Sequence, residues 1–363
     1  MLALTLFGIF FAIALAGVPL LYSILITTTG IIALQGLGHP LETIFLSFIG
    51  GVEPFILLAV PLFIFAGELL AQGGVGKRIV EFARVLFGWL PGGLGVVTVI
   101  SCTMFGGVSG SAIADTAAIG SLVIPAMVAR GYSRGFAAAL LAVAGTIALL
   151  MPLSIPFLVY AFISGVSMRT LSMAGLLPAL ATAVALIVMC MWHGKKTGVD
   201  NGEDRSTPAQ IWAATKDAGP ALMMPLIIVG GIWSGQFTPS ESAAVAVFYG
   251  LAVSLFYYRD LTWRHIPQLM LNAFSTSATV MLVIGATGAM AWLITVEQVA
   301  VQMAEWIQLV ATEQWMFLIL FNVCLLLLGI FIEPLPALLL TAPLLGNNPT
   351  PLSICATIGR LDL

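Results

Sequence analysis

Charge is what this sequence has least of. Only 8% of its 363 residues are Asp, Glu, Lys or Arg, against about 25% in an ordinary soluble domain. With 60% hydrophobic residues, a soluble chain could not cover its own surface with polar groups, so the solvent must be lipid. The net charge of −3 is too small to imply nucleic acid or a polyanionic partner. Cysteine and histidine are scarce as well. Cys102, Cys190, Cys324 and Cys355 show neither metal-ligand nor redox spacing and read as small buried apolar residues. His39, His193 and His265 stand alone, which argues against a zinc or haem site. No phosphate loop, metalloprotease helix or nucleophile elbow occurs. ATP hydrolysis, enzymatic catalysis and a bound cofactor are therefore not expected.

What is present is apolar sequence in long runs. A chain of this length holds about eight to eleven membrane segments of roughly 20 residues each. Apolar stretches fall near 2–34, 53–71, 92–128, 136–165, 170–192, 219–233, 238–257, 275–295 and 315–345. The first lacks a basic region and is too long for a signal peptide, so 2–32 reads as a first transmembrane helix. Shorter amphipathic pieces near 40–50, 77–89 and 296–310 suit interfacial positions or packed connectors. The most polar stretch, 193–210 (HGKKTGVDNGEDRSTPAQ), divides the chain almost in half.

Basic residues set orientation. Lys77, Arg78 and Arg84 lie on one side of segment 92–128, and Arg130 and Arg134 on the other. Both flanks are therefore assigned to the cytoplasm, so this segment enters and leaves on one face. Its middle, 105–120 (FGGVSGSAIADTAAIG), is rich in Gly and Ser and carries Asp115. A continuous helix there would expose polar groups to lipid, whereas a broken hairpin buried in protein would not. A re-entrant hairpin with its tip near 107–111 follows. A weak echo, 329–345 (GIFIEPLPALLLTAPLL), has a glycine-bearing break, one acidic residue, Glu333, and a terminal proline. It follows a loop without basic residues, so the two repeats would be inverted. Broken segments at matching places in two halves point to a transporter's binding site.

An ionisable group inside a bilayer needs a reason to be there. Asp115 reads either as a cation-site or tip-stabilising carboxylate, or as a charge satisfying free amides at a helix start. Ser109, Gly110 and Ser111 offer hydroxyls and backbone oxygens suited to sodium, with Ser109 and Ser111 as candidate ligands. The same turn would offer helix N-terminal amides suited to a carboxylate substrate. A small-residue packing patch is the alternative. Glu241, in QFTPSESAAVAVFYG, is either a helix cap or a site residue. Glu333 has fewer structural explanations and reads as a site residue. The stretch 145–156 (GTIALLMPLSIP) carries two prolines and Ser154, which suits either an unwound helix near a site or a simple kink.

At these segments the sequence resembles the large membrane subunit of TRAP (tripartite ATP-independent periplasmic) transporters. The matching strings are VPLFIFAGELLAQGGVGKRIVEFARVLFGWLPGGLG, FGGVSGSAIADTAAIGSLVIPAMVARGY, GQFTPSESAAVAVFYG and, less strongly, GIFIEPLPALLLTAPLL. The resemblance spans roughly 1–345. It implies an all-α polytopic fold of the elevator type, with inverted repeats, re-entrant hairpins and a place in the bacterial inner membrane. It also implies sodium coupling and a small organic acid substrate, such as a C4-dicarboxylate or sugar acid. A periplasmic solute-binding protein would deliver that solute, and a small TRAP membrane subunit would complete the complex. By motif match, Ser109, Gly110, Ser111 and Asp115 correspond to the ion- and substrate-facing tip, and Glu333 and Thr341 fall in the second hairpin.

The chain departs from that pattern in three places. Glu333 stands where the family usually has Asp, Met151 replaces the first proline of a double-proline break, and the sequence past Leu345 does not follow the expected broken helix and final crossing. The expected organisation is a first half, 1–192, a cytoplasmic loop, 193–218, an incomplete second repeat, 219–345, and an atypical tail, 346–363. The alternatives are a sodium–carboxylate symporter without a binding protein, or a truncated, transport-inactive copy.

Overall fold

In the computed structural model, residues 2–35, 40–200 and 202–299 are described, with isolated positions between 315 and 338. Every regular element among them is helical. The first five helices are α1 (Leu2–Leu15), α2 (Leu20–Gln35), α3 (Glu42–Val52), α4 (Ala59–Gln72) and α5 (Val75–Phe87). Next come α6 (Gly93–Ser109), α7 (Ala112–Ala129), α8 (Arg134–Thr146), α9 (Ile155–Ser164) and α10 (Met168–Thr197). The last three are α11 (Pro208–Trp233), α12 (Pro239–Ala252) and α13 (Ile266–Val296). Among the described residues, six helical stretches are long and apolar enough to cross a membrane. They are Phe55–Gln72, Ala112–Ala129, Arg134–Ser164, Met168–Thr197, Pro239–Tyr257 and Ile266–Val296.

Two expectations change. The stretch 2–32 is not one helix but two, α1 and α2, which pack against each other. Gly17, at φ +87°, and Pro19, which has no amide hydrogen to donate, separate them. Hydropathy alone does not register that break, because every residue around it is apolar. The polar stretch 193–218 is mostly helical: α10 runs to Thr197 and α11 begins at Pro208. Thr207 and Gln210 form a capping box at that second start, so only the residues between these helices are loop.

The chain forms two compact units. One comprises Met1–Leu57, Val159–Val166 and Ser277–Leu363, the other Leu58–Leu158 and Ser167–Thr276. In the first, α3 crosses α13 at glycines: a Cβ on Gly51 would lie 3.2 Å from Gly288 Cα. In the second, α4 lies along α12, and α5 is wedged against α6 and α11. The wedge follows from the amphipathic pattern of α5, which buries Val75, Ile79 and Ala83 while Lys77 stays exposed. This stretch, 77–89 in the sequence reading, is thus a packed connector.

Candidate functional site

The second unit contains a helical hairpin where the sequence predicts a re-entrant one. Helices α6 and α7 are joined by two residues only, Gly110 and Ser111. The arms run back along each other, since Thr98 near the start of α6 hydrogen-bonds Met127 near the end of α7. Gly110 ends α6 in the left-handed region at φ +59° and donates its amide to Gly106 O at 3.1 Å. Ser111 is extended and caps α7, its Oγ accepting from Ala114 N–H at 3.4 Å. The turn is thus written in residue types, a glycine where φ is positive and a serine at the N-cap.

Three of the candidate residues form one hydrogen-bonded chain across the tip. Ser111 N–H donates to Ser109 Oγ at 3.2 Å, and the Ser109 hydroxyl donates to Asp115 Oδ1. Ser109 and Asp115 lie on opposite arms and are both buried, at 1% and 0% exposure. Asp115 Oδ2 has no hydrogen-bond partner, and no Lys, Arg or His among the described residues pairs with it. The other reading of this residue, a charge spent on helix amides, does not describe the bonds it makes. Among the described residues its side chain bonds the Ser109 hydroxyl and no helix amide.

The tip rests on a second break. After α8, a 3₁₀ turn (Ile147–Leu150) gives way to non-helical backbone at 151–154 before α9 begins. Proline cannot continue the hydrogen-bond ladder, and Met151 does not prevent the break, because Pro152 follows it. Ser154 is fully buried, and its Oγ accepts from Phe157 N–H at 3.4 Å, which caps α9. Gly110 sits directly against this backbone. A Cβ there would lie 2.5 Å from Leu153 O and 3.0 Å from Ser154 Cα. A Cβ on Gly106 would likewise come within 2.8 Å of both Ala148 Cα and Asp115 Oδ2. The structure therefore brings Ser109, Gly110, Ser111, Asp115 and Ser154 together, and sets the starts of α7 and α9 side by side.

Glu241 is placed elsewhere. It is exposed at position N3 of α12, where its carboxylate accepts from Thr238 N–H at 2.8 Å and from the Thr238 hydroxyl at 2.9 Å. Thr238 Oγ1 in turn accepts from Glu241 N–H at 3.3 Å, which completes a capping box. Glu333 and Thr341 lie outside the described residues.

The donor set at the tip is oxygen throughout: three hydroxyls, a carboxylate with a free lone-pair edge, and broken backbone. Hard monovalent or alkaline-earth cations favour such oxygens. Capped helix starts beside them carry partial positive charge suited to an anion. Sequence reasoning overlooked a second polar cluster, at the other end of the hairpin. Asp200, Glu203, Arg84, Arg130 and Tyr132 meet there. Burial, and then the neighbouring Asp200 carboxylate, push the Tyr132 hydroxyl above its ordinary range, so it remains a donor. The acidic residues were visible within the polar stretch after α10, but nothing local indicated where that stretch docks.

The sequence profile described as tripartite ATP-independent periplasmic transporter, DctM component, matches residues 7–350. The chain is 35% identical over 360 residues to the C4-dicarboxylate TRAP transporter large permease protein DctM of Rhodobacter capsulatus, covering 95% of this chain and 81% of that protein. It is 36% identical over 341 residues to the isethionate TRAP transporter permease protein DctMQ of Oleidesulfovibrio alaskensis, with 94% and 53% covered. To the 2,3-diketo-L-gulonate TRAP transporter large permease protein YiaN of Escherichia coli it is 35% identical over 297 residues, with 82% and 70% covered. With its apolar spans and this match along nearly its whole length, the chain is a multi-pass membrane protein that belongs to the DctM-component family of TRAP transporters.

Proposed function

We propose that this chain is the solute-moving large permease of a TRAP system in a bacterial inner membrane, and that it couples sodium entry to uptake of a small organic acid. The observation that carries this reading is the buried tip: the Ser109–Asp115 bridge between two arms, closed onto the backbone break at 151–154. The Ser109 hydroxyl can donate to Asp115 and still offer a lone pair to a cation, so the bridge and sodium binding are compatible. The names of the three relatives specify a C4-dicarboxylate, isethionate and 2,3-diketo-L-gulonate. All three are anions, and the paired starts of α7 and α9 would favour one electrostatically. A separate small membrane subunit and a periplasmic solute-binding protein are the proposed partners. The name DctMQ of one relative, of which this chain covers 53%, fits a large permease fused to its small partner. Ser109, Ser111, Asp115, Ser154 and Gly110 are the proposed ion and substrate contacts, and Glu333 and Thr341 the counterparts in the second hairpin.

The direct test is uptake into proteoliposomes holding the large and small subunits, with a loaded solute-binding protein outside. Uptake is expected to require an inward sodium gradient. Ser109→Ala removes one oxygen ligand and the bridge to Asp115, so the sodium concentration for half-maximal uptake is expected to rise about tenfold, the effect of one charge-assisted bond. Uptake indifferent to sodium in the unsubstituted chain would refute the coupling. Uptake of free solute without any binding protein would favour a symporter instead.

The hairpin is proposed to be re-entrant and to ride on a unit that moves as an elevator. In support, its two feet lie together: Gly92 N–H and the Arg130 guanidinium both bond Asp200. A cysteine at exposed Lys77 and one at exposed Arg134 are therefore expected both to escape an impermeant maleimide in intact cells and both to react in inverted membrane vesicles. Labelling from opposite faces rejects the re-entrant topology.

A further inference from the structure

The cluster at the base of the hairpin belongs to no part of the proposed transport site, yet it draws together more charged side chains than the tip does. Asp200 lies in the loop between α10 and α11 and is 4% exposed. Its backbone O accepts from Gly92 N–H at 2.7 Å, and its Oδ2 accepts from Leu94 N–H at 2.9 Å and from the Tyr132 hydroxyl at 3.3 Å. Its Oδ1 takes Arg130 Nη1 at 3.4 Å and Gly202 N–H at 3.2 Å. Three residues on, Glu203 donates its amide to Gly88 O at 2.9 Å, and its carboxylate bridges Arg84, at 2.7 Å, and Arg130. One short segment thus holds the end of α5, the start of α6 and the residues just past α7. The approach is close enough that a Cβ on Gly202, at φ +87°, would lie 2.4 Å from Trp89 O.

We propose that Asp200, Gly202 and Glu203 strap the base of the α6–α7 hairpin, and that Asp200 is thereby a positioning residue for the tip. The inference rests on the permease reading above. The tip bridge joins a residue of α6, Ser109, to a residue of α7, Asp115. It therefore depends on the register of the two arms. Each arm is a rigid rod of about 25 Å, and only two residues join them at the tip. If the feet slide past each other, the shift is carried along the rods and pulls Ser109 away from Asp115. Asp200 prevents this by bonding both feet at once. Its carboxylate also sits at the amino end of α6, where free amides favour negative charge.

The experiment is hydrogen exchange by mass spectrometry on the full chain in lipid nanodiscs, comparing the unsubstituted protein with Asp200→Ala. In the variant, exchange is expected to quicken at 92–96 and, decisively, also at 107–114, by about tenfold at each as protecting bonds are lost, while α12 stays unchanged. Faster exchange at 92–96 with an unaltered tip would mean that the strap is only local structure, and would overturn the proposal. Faster exchange along the whole chain would overturn it too. Should Asp200→Ala not fold, Tyr132→Phe removes a single bond from the same cluster and is expected to give the same two-site pattern at smaller amplitude. The same variants in the uptake assay are expected to raise the half-maximal sodium concentration severalfold, with Asp200→Asn falling between Ala and the unsubstituted chain. Because exchange is read without transport, an unsubstituted chain that moves no solute would refute the permease reading separately from the strap.

Discussion

Gly110→Val is expected to abolish sodium-driven uptake while leaving the chain folded in the membrane. Two independent costs fall on that one position. Gly110 has φ +59°, where an ordinary side chain costs roughly 1–2 kcal/mol and a β-branched one more. A Cβ would also stand 2.5 Å from Leu153 O, well inside van der Waals contact, and that oxygen belongs to backbone that cannot swing aside like a flexible side chain. Together these amount to about 3 kcal/mol or more against the closed tip, a shift of at least about a hundredfold in its population. The tip therefore lifts off the break at 151–154, the Ser109–Asp115 bridge is lost, and neither ion nor solute finds its ligands assembled. Gly110→Ala carries the same Cβ clash with less strain and is expected to retain measurable but reduced uptake. Initial rates, read beside a thermal melt of the purified protein, separate a misplaced tip from an unfolded one. A Gly110→Val chain with unchanged uptake would show that the tip does not need to close on the break.

That the turn could be found beforehand, and the strap could not, has a physical cause. A break inside lipid-facing sequence must be made with glycine, serine or proline, because only these tolerate or supply the missing backbone bonds. FGGVSGSAIAD and MPLSIP therefore stand out from their apolar surroundings, and both mark real interruptions, at Gly110 and at 151–154. Gly17 and Pro19 follow the same rule, but the long apolar run around them suggests a single span. Contacts between distant segments leave no such mark. Asp200 and Gly92 are far apart in sequence, and nothing in VDNGED shows that its first acid caps a helix more than a hundred residues earlier. Arg78 is comparable. It reads as a topology charge, yet it lies over the Tyr258 ring at 3.7 Å and pairs with Asp260 at 2.5 Å. Positive charge in a membrane protein's loops reports orientation and also ties helices together, and sequence alone does not separate the two uses.

Asp115→Asn is expected to remove the response to sodium without loosening the tip. The exchange keeps shape, volume and an oxygen that can accept the Ser109 hydroxyl, so a role confined to bracing the arms would survive it. What the exchange removes is the negative charge, together with the lone-pair edge of Oδ2, which is buried and has no hydrogen-bond partner. A buried oxygen left unpaired costs about 1–3 kcal/mol, and a site keeps such a cost when a ligand is to occupy the gap. Bound sodium would recover it and would hold the tip shut, so sodium is expected to raise the melting temperature of the unsubstituted permease by the ordinary linkage of a ligand to the folded state. For Asp115→Asn that rise is expected to vanish, with uptake reduced on the order of a hundredfold at low sodium, while the melting temperature without sodium stays close to that of the unsubstituted chain. Asp115→Leu separates the two roles further. It loses the brace as well as the charge, leaves the Ser109 hydroxyl without its acceptor, and is expected to melt earlier even without sodium. If Asp115→Asn keeps both the sodium-induced thermal shift and the sodium-dependent uptake, then the carboxylate only braces the hairpin, and the cation binds through hydroxyl and backbone oxygens alone.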